Sequence, residues 1–258
     1  MRKYYLLILS LATTGFIFSS CQKDEPATNV NGEVDFSISA GIPSGLTTYA
    51  QPDLQSHLGG ANNLDKEVYD LRYILEVWTD EATPKLAYKE IITEDNFGGV
   101  TFKARLLAKK YNFVFWADFV NEGGNDNLVY NADELTAITY ADLTDRRAGQ
   151  DLADAYYAVV PVDLTTAGQT MNKVTLKRPF GKIRLIATDQ LSGNLQTERP
   201  SSTEVAYGNY NVPTTFNALT KETSGSAAAG SYIFTPQTEE YVLNGSSQNK
   251  TGYILGYD

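Results

Sequence analysis

The stretch Tyr111-Asn112-Phe113-Val114-Phe115-Trp116-Ala117-Asp118-Phe119-Val120 decides how the rest of the chain is read. Tyr111, Phe113, Phe115, Ala117 and Phe119 recur at every second position. A period of two puts them on one face of an extended strand, because successive strand side chains point to opposite faces. Four aromatic rings on one face make a surface that must be buried. The other face holds Asn112, Val114, Trp116 and Asp118. Val and Trp there predict partial cover on that side too.

Outward from this strand the same grammar recurs. In residues 34–40, Val34, Phe36, Ile38 and Ala40 alternate with Asp35, Ser37 and Ser39, which predicts a half-buried strand. Residues 42–63 hold Gly, Pro, Asn and Ser clusters and read as a long loop. Strands are expected over 68–79, over 85–92 after Pro84, over 100–107 after Gly98-Gly99, and over 156–162. Segments 174–177 and 182–187 form a strand pair broken at Pro179 and Gly181, the signature of a bulge or a crossing between sheets. Residues 131–154 have no clean period, and 142–154 has room for one or two helical turns. Residues 190–202, rich in Ser, Gly, Thr and Pro, suit a domain boundary. Beyond it, 204–210, 214–219, 231–234, 239–243 and 252–257 read as short strands, with a small-residue loop over 221–230. No stretch sustains a helical period. The expected fold is all-β and sandwich-like, with an N-terminal domain over 32–190 and a C-terminal one over 203–258. The last segment looks like a strand with no turn or tail after it. Either the second domain is cut short, or this end pairs with something outside it.

Composition narrows the function classes. The 258 residues carry 21 basic and 31 acidic side chains, a net charge of -10. Nucleic acid and anionic membrane both want clustered Lys and Arg, so neither is an expected partner. One Cys excludes an internal disulfide framework and a Cys-rich zinc site, and one His excludes a multi-His metal site. An apolar share of 42% with 20% charged residues is that of a folded protein.

The first twenty residues read as an address. Met1-Arg2-Lys3 is a short basic region, followed by an apolar run to Phe18 that is short for a membrane span. Phe18-Ser19-Ser20-Cys21 then resembles a bacterial lipobox, with Phe18 where an aliphatic residue is usual. That resemblance implies a signal peptide over 1–20 and a lipid on Cys21, which is the only Cys in the chain. Lys23-Asp24-Glu25 resembles the lipoprotein export signal of Bacteroidales and implies display on the outer face of the outer membrane. Residues 21–31 are polar and read as a tether. Loss of Arg2 and Lys3 with the signal peptide leaves 19 basic against 31 acidic residues, a net -12. An acidic body on a lipid anchor is held at a membrane without lying on it.

Motifs of catalysis are sparse. No nucleophile elbow, zinc-protease helix, P-loop or dinucleotide fingerprint occurs. Asp53, Ser56 and His57 are neighbours in the long loop and lack the rigid scaffold a triad needs. Asp-rich segments could supply a carboxylate pair for glycoside hydrolysis, but sequence does not set their separation. Residues 121–133 hold Asn and acidic side chains that calcium could use, without the regular Asp-x-Asp-x-Asp-Gly pattern, and such clusters are more often hairpin turns. Trp116, Tyr156 and Tyr157 could stack on sugar rings, although alternating aromatics in strands are more often core. The expectation is no enzyme, no cofactor and no metal.

Several motifs in order point to a family. Asp154-Ala155-Tyr156-Tyr157-Ala158 precedes Val174-Thr175-Leu176-Lys177-Arg178-Pro179-Phe180-Gly181-Lys182-Ile183-Arg184-Leu185. Tyr111-Asn112-Phe113-Val114-Phe115-Trp116-Ala117 stands upstream, and Val212-Pro213-Thr214-Thr215-Phe216-Asn217 and Gly252-Tyr253-Ile254-Leu255-Gly256-Tyr257-Asp258 follow. Together, behind a lipobox, they resemble the fimbrillin family of Bacteroidales surface lipoproteins over most of residues 30–258. The resemblance implies two tandem transthyretin-like β-sandwich domains of Greek-key type, the second incomplete at its C-terminal end. It implies a pilus subunit, in which a shaft-type chain loses its N-terminal segment to an Arg- or Lys-specific protease. A neighbour's strand then fills the vacated groove. Val34, Phe36 and Ile38 would lie in the exchanged strand. In the mature chain only Lys23 and Lys66 are basic before residue 68, and Arg72 lies inside an expected strand. Lys66 is therefore the candidate processing residue, and the lack of a loop Arg favours an anchor or accessory subunit over a shaft. Partners would be other pilus subunits, the outer membrane through Cys21, and a host or bacterial surface ligand. A fimbrium at the cell outer membrane would be its place.

Two other classes share the address and the β composition. A glycan-binding lipoprotein of a nutrient-uptake system would need exposed aromatics such as Trp78, Trp116 or Tyr157 on one face. A surface glycosidase would need a placed carboxylate pair.

Overall fold

The computed structural model of the chain describes residues 32–43, 64–141, 151–165, 171–181, 184–187, 202–206, 208–228, 231–234, 237–242 and 249–257. Nine strands build its N-terminal part: β1 (Glu33–Gly41), β2 (Tyr69–Thr79), β3 (Leu86–Glu94), β4 (Val100–Leu107), β5 (Lys110–Asn121), β6 (Tyr130–Asn131), β7 (Ile138–Tyr140), β8 (Ala155–Asp163) and β9 (Val174–Thr175). A single 3-10 turn, Asp151–Ala153, is the one helical piece among the described residues, inside the stretch where a turn or two was expected.

The stretch that opened the reading is β5, inside the antiparallel sheet β3-β2-β5-β8. Its aromatic face turns inward as the alternation requires. Tyr111, Phe113, Phe115, Ala117 and Phe119 are buried with Leu71, Tyr73, Leu75 and Val77 of β2 and with Tyr156, Ala158 and Val162 of β8. Against them packs a second sheet, β4-β1-β9, through Phe36, Ile38, Ala40, Val100, Phe102 and Leu106. These two layers are the sandwich. At about 25 cal/mol per Å² of apolar surface removed from water, burial of this kind is what holds two such layers together.

The far face of the central sheet is covered as well. Ile74, Val114 and Trp116 pack under Tyr130, Ala132, Leu135, Ile138 and Ala218. The covering layer is a short four-stranded sheet in the order β14-β13-β7-β6, with β13 at Thr215–Asn217 and β14 at Glu222–Ser224. Phe216 meets Tyr157 edge-on at 5.2 Å and Trp116 at 6.4 Å, and the Ala218 amide donates to the Leu135 carbonyl at 2.8 Å. Residues beyond the 190–202 stretch thus pack on the sandwich.

The crossing expected at the Pro179 and Gly181 break falls earlier, inside the stretch 174–177 read as one strand, and that stretch pairs with β1 and β8 rather than with the segment after the break. β9 pairs in parallel with β1 at Ala40–Val174 and Gly41–Thr175. Two residues later Lys177 and Tyr157 exchange backbone hydrogen bonds of 2.9 and 3.1 Å at the outer edge of β8. The chain passes from one layer to the other within four residues, and Leu176 fills the gap, fully buried.

The remaining strands are β10 (Arg184–Ala187), β11 (Thr203–Ala206), β12 (Asn211–Val212), β15 (Ala227–Ala228), β16 (Ser231–Phe234), β17 (Gln237–Val242) and β18 (Asn249–Tyr257). They pair as β10-β18-β17, β11-β16 and β12-β15. The last strand is therefore flanked on both sides by strands of its own chain.

Candidate functional site: the seat of the first strand

Val34, Phe36 and Ile38 stand in β1 with the alternation read from the sequence. Phe36, Ile38 and Ala40 face the core and are buried, Val34 is half-buried, and Asp35 and Ser37 face water. Phe36 meets Phe113 at 5.0 Å and Tyr88 at 6.1 Å, both edge-on. Burying a side chain of this size is worth about 1.5–3 kcal/mol each, so the inner face of β1 is a large share of what holds it in place.

The two edges of β1 differ. β4 pairs with it antiparallel at eight positions, from Glu33–Leu107 to Ala40–Val100. β9 meets it only at Ala40 and Gly41. Among the described residues, the stretch from Glu33 to Ser39 is paired on one side alone. On the outer face the Arg105 guanidinium forks onto Asp35, Nε to Oδ1 at 2.7 Å and Nη2 to Oδ2 at 3.1 Å. The hydrogen bond from Arg105 holds the Asp35 carboxyl below its usual value. Ser39 and Thr101 hydroxyls meet at 2.8 Å.

The C-terminal end of β1 is pinned. The Tyr73 hydroxyl accepts from the Ile42 amide at 3.3 Å and donates to the Gly98 carbonyl at 2.7 Å. The Leu176 amide donates to the Gly41 carbonyl at 2.9 Å. A Cβ on Gly99 would lie 2.8 Å from the Ala40 carbonyl oxygen, so only glycine allows this approach. Burial pushes the Tyr73 phenol up to about 12, helped by the Glu94 carboxylate and opposed by the Ile42 amide.

Lys66 is exposed in the turn that leads into β2. Its ammonium donates to the Asn96 carbonyl at 2.9 Å and lies 5.4 Å from the centre of the Phe97 ring. Arg72, by contrast, is buried inside β2 and joined to Asp118. Cys21, Lys23, Asp24 and Glu25 lie outside the described residues, as do Asp53, Ser56 and His57.

The aromatics considered as a sugar platform are mostly interior. Trp116 and Tyr156 are buried, at 1% and 2% exposure. Tyr157 is half-buried against Phe216, and the half-buried Trp78 donates its indole N–H to Glu76 at 3.1 Å. They do not form an exposed face, because Tyr156 points into the sandwich and the β14-β13-β7-β6 layer covers the side that holds Trp78, Trp116 and Tyr157.

The Asn- and Asp-rich loop spends its oxygens on the protein. Arg72 Nη1 donates to the Asn125 carbonyl at 2.7 Å and to Asn127 Oδ1 at 3.0 Å, and the Gly123 amide donates to Asp70 at 2.8 Å. Asn127 Nδ2 donates to Asp133 at 3.0 Å. Among the described residues no group of three or more His, Cys, Asp or Glu is placed to hold a metal ion. Sequence reading placed Asp118 on a partly covered face but did not join it to Arg72, because the register that sets them opposite each other is not written in either strand alone.

None of the curated proteins compared matches the sequence. Two solved structures from Bacteroides thetaiotaomicron are similar at 12% identity. One is a candidate polysaccharide-binding protein (DUF1812), with a TM-score of 0.40 over 84% of this chain and 70% of that one. The other is a candidate adhesin, with a TM-score of 0.38 over 72% of this chain and 62% of that one. At this level of similarity neither likeness transfers a function. A family pattern does match nearly the whole chain, residues 26–257, and by it the protein belongs to DUF6562, a family of unknown function.

Proposed function

We propose that the chain is a fimbrillin-like surface lipoprotein, an anchor or accessory pilus subunit that works by β-strand addition, with a role in adhesion. In this reading Cys21 carries the lipid behind a signal peptide of residues 1–20, and Lys23, Asp24 and Glu25 direct export to the outer face of the outer membrane. Residues 32–190 and 203–258 are the two tandem units. Partners are other pilus subunits, met through strand addition.

The observation that supports it most is the seat of β1. One strand supplies Phe36, Ile38 and Ala40 to a core otherwise built by other strands, and among the described residues a single neighbour pairs with it over Glu33–Ser39. A seat of this kind accepts a strand of alternating apolar residues from outside, with main-chain hydrogen bonds giving affinity and the pockets giving register. Arg72 is sealed against Asp118, so Lys66 is the exposed basic residue between β1 and the body of β2.

The test is digestion of the unlipidated mature protein with a lysine-specific protease, followed by mass spectrometry and size exclusion. A cut after Lys66, loss of the residues before it and growth of larger species support strand addition by an accessory subunit released from its lipid, and contradict the anchor role. A cut chain that sheds β1 and stays monomeric contradicts it.

A further inference from the structure

The turn between β3 and β4 touches both the end of β1 and Lys66. At its centre Phe97 has a φ of 57°. That is the left-handed region, which a bulky residue occupies only where its surroundings hold it. The Glu94 carboxylate accepts from the Asn96 amide at 3.1 Å and from the Gly98 amide. The Phe97 ring packs edge-on against Phe119 at 5.2 Å.

On one side this turn is tied to β1. Tyr73 bridges the Gly98 carbonyl and the Ile42 amide through one hydroxyl, and Gly99 abuts Ala40. On the other side it holds Lys66, by the Asn96 carbonyl and the face of Phe97. The backbone around Lys66 is itself a closed turn. The Asp65 carbonyl accepts from the amides of Val68 at 3.2 Å and Tyr69 at 3.0 Å, and its carboxylate accepts from Glu67 at 2.9 Å. A lysine-specific protease must take the ammonium into its own pocket. Here the ammonium is already engaged.

We propose that the β3–β4 turn is a latch that keeps the Lys66–Glu67 bond closed to proteolysis while the end of β1 is seated. Tyr73 and Gly99 hold the turn in its strained form, and the strained turn holds the Lys66 side chain. When the end of β1 lifts, Tyr73 loses Ile42, the turn relaxes and Lys66 is freed. An external protease then adds water across the amide, leaving a carboxylate on Lys66 and an amine on Glu67. Release of the strand end comes before the cut, so a fully seated subunit is not processed early. This rests on the reading of β1 as an exchangeable strand.

The test measures cutting after Lys66 in the full mature chain, as a ratio to cutting after the exposed Lys85, which reports general opening. Tyr73→Phe keeps the ring, removes both hydrogen bonds of the hydroxyl and leaves both Lys66 contacts in place. It is expected to raise the ratio about thirtyfold, the effect of losing two ordinary hydrogen bonds. Phe97→Gly relieves the positive φ, removes the ring beneath Lys66 and is expected to raise the ratio as well. An unchanged ratio in Tyr73→Phe overturns the latch, as does an equal rise at Lys66 and Lys85. If the Phe97 variant fails to fold, Tyr73→Phe decides alone. Size exclusion is read separately. A raised ratio without larger species keeps the latch and contradicts strand addition, whereas larger species with an unchanged ratio overturn the latch only.

Discussion

Arg72 and Asp118 face each other directly across β2 and β5 and are joined as a fork, Nε to Oδ1 at 2.9 Å and Nη2 to Oδ2 at 2.7 Å. Both side chains are almost sealed from water, at 2% and 1% exposure. Burial pushes the Asp118 carboxyl up, and the hydrogen bonds from Arg72 oppose that. The remaining guanidinium nitrogen ties the 121–133 loop to the central sheet. Removing one partner leaves an uncompensated buried charge, so Asp118→Ala is expected to cost about 3–5 kcal/mol. Urea unfolding with an unchanged slope checks this, and replacing both residues with apolar ones should recover most of the loss.

The inner face of β1 gives a graded prediction. Phe36→Ala is expected to destabilise by about 3–5 kcal/mol and Ile38→Ala by about 2–5 kcal/mol, from lost burial and the cavity left behind. Ser37→Ala, on the water-facing side of the same strand, should stay within about 0.5 kcal/mol. Thermal denaturation of the three variants separates the faces.

Asp35 is held below the ordinary aspartate value of 3.8, first by the hydrogen bond from Arg105. Its folded value is thus lower than its unfolded one. The pair's contribution is present above the ordinary carboxylate range and fades as the pH falls through the lowered value. A carboxyl NMR titration should place Asp35 below 3.8, and Arg105→Ala should bring it back. Both groups are exposed, so added salt should weaken the effect.

Tyr73 has the opposite sign. Its phenol rises from the ordinary tyrosine value of 10.0 to about 12, chiefly through burial. The stability it contributes is complete below pH 10.0 and is lost as the pH climbs toward about 12. Ultraviolet titration should show a late-ionising group of tyrosines that includes Tyr88, also raised to about 12, and Tyr73→Phe should shrink that group by one. Alkaline unfolding of the variant should depend less on pH over the same interval.

The long strands were legible because each carries enough alternation to declare a face. Tyr111 to Phe119 and Val34 to Ala40 turned out to be inward-facing rows of β5 and β1. The short strands were not: β6, β7, β12, β14 and β15 are two or three residues long, too short to show a period. Val114 and Trp116 gave Asp118's face away as partly covered, but not what covers it, since that layer includes Phe216 and Ala218, roughly a hundred residues from Trp116 along the chain. The pinning of β1 by Tyr73 was hidden for the same reason, since it joins Ile42 to Gly98 through a side chain between them in sequence.

A seat that works by strand addition must accept β1 as a separate strand. The most direct measurement is binding of a synthetic peptide of residues 32–43 to a mature chain shortened to begin at residue 44, followed by near-ultraviolet circular dichroism and calorimetry. Saturable one-to-one binding that restores aromatic packing around Phe102, Phe113 and Phe115 is expected, with weaker binding when the peptide carries Phe36→Ala. A shortened chain that keeps the full chain's melting temperature without peptide and binds none would contradict strand addition.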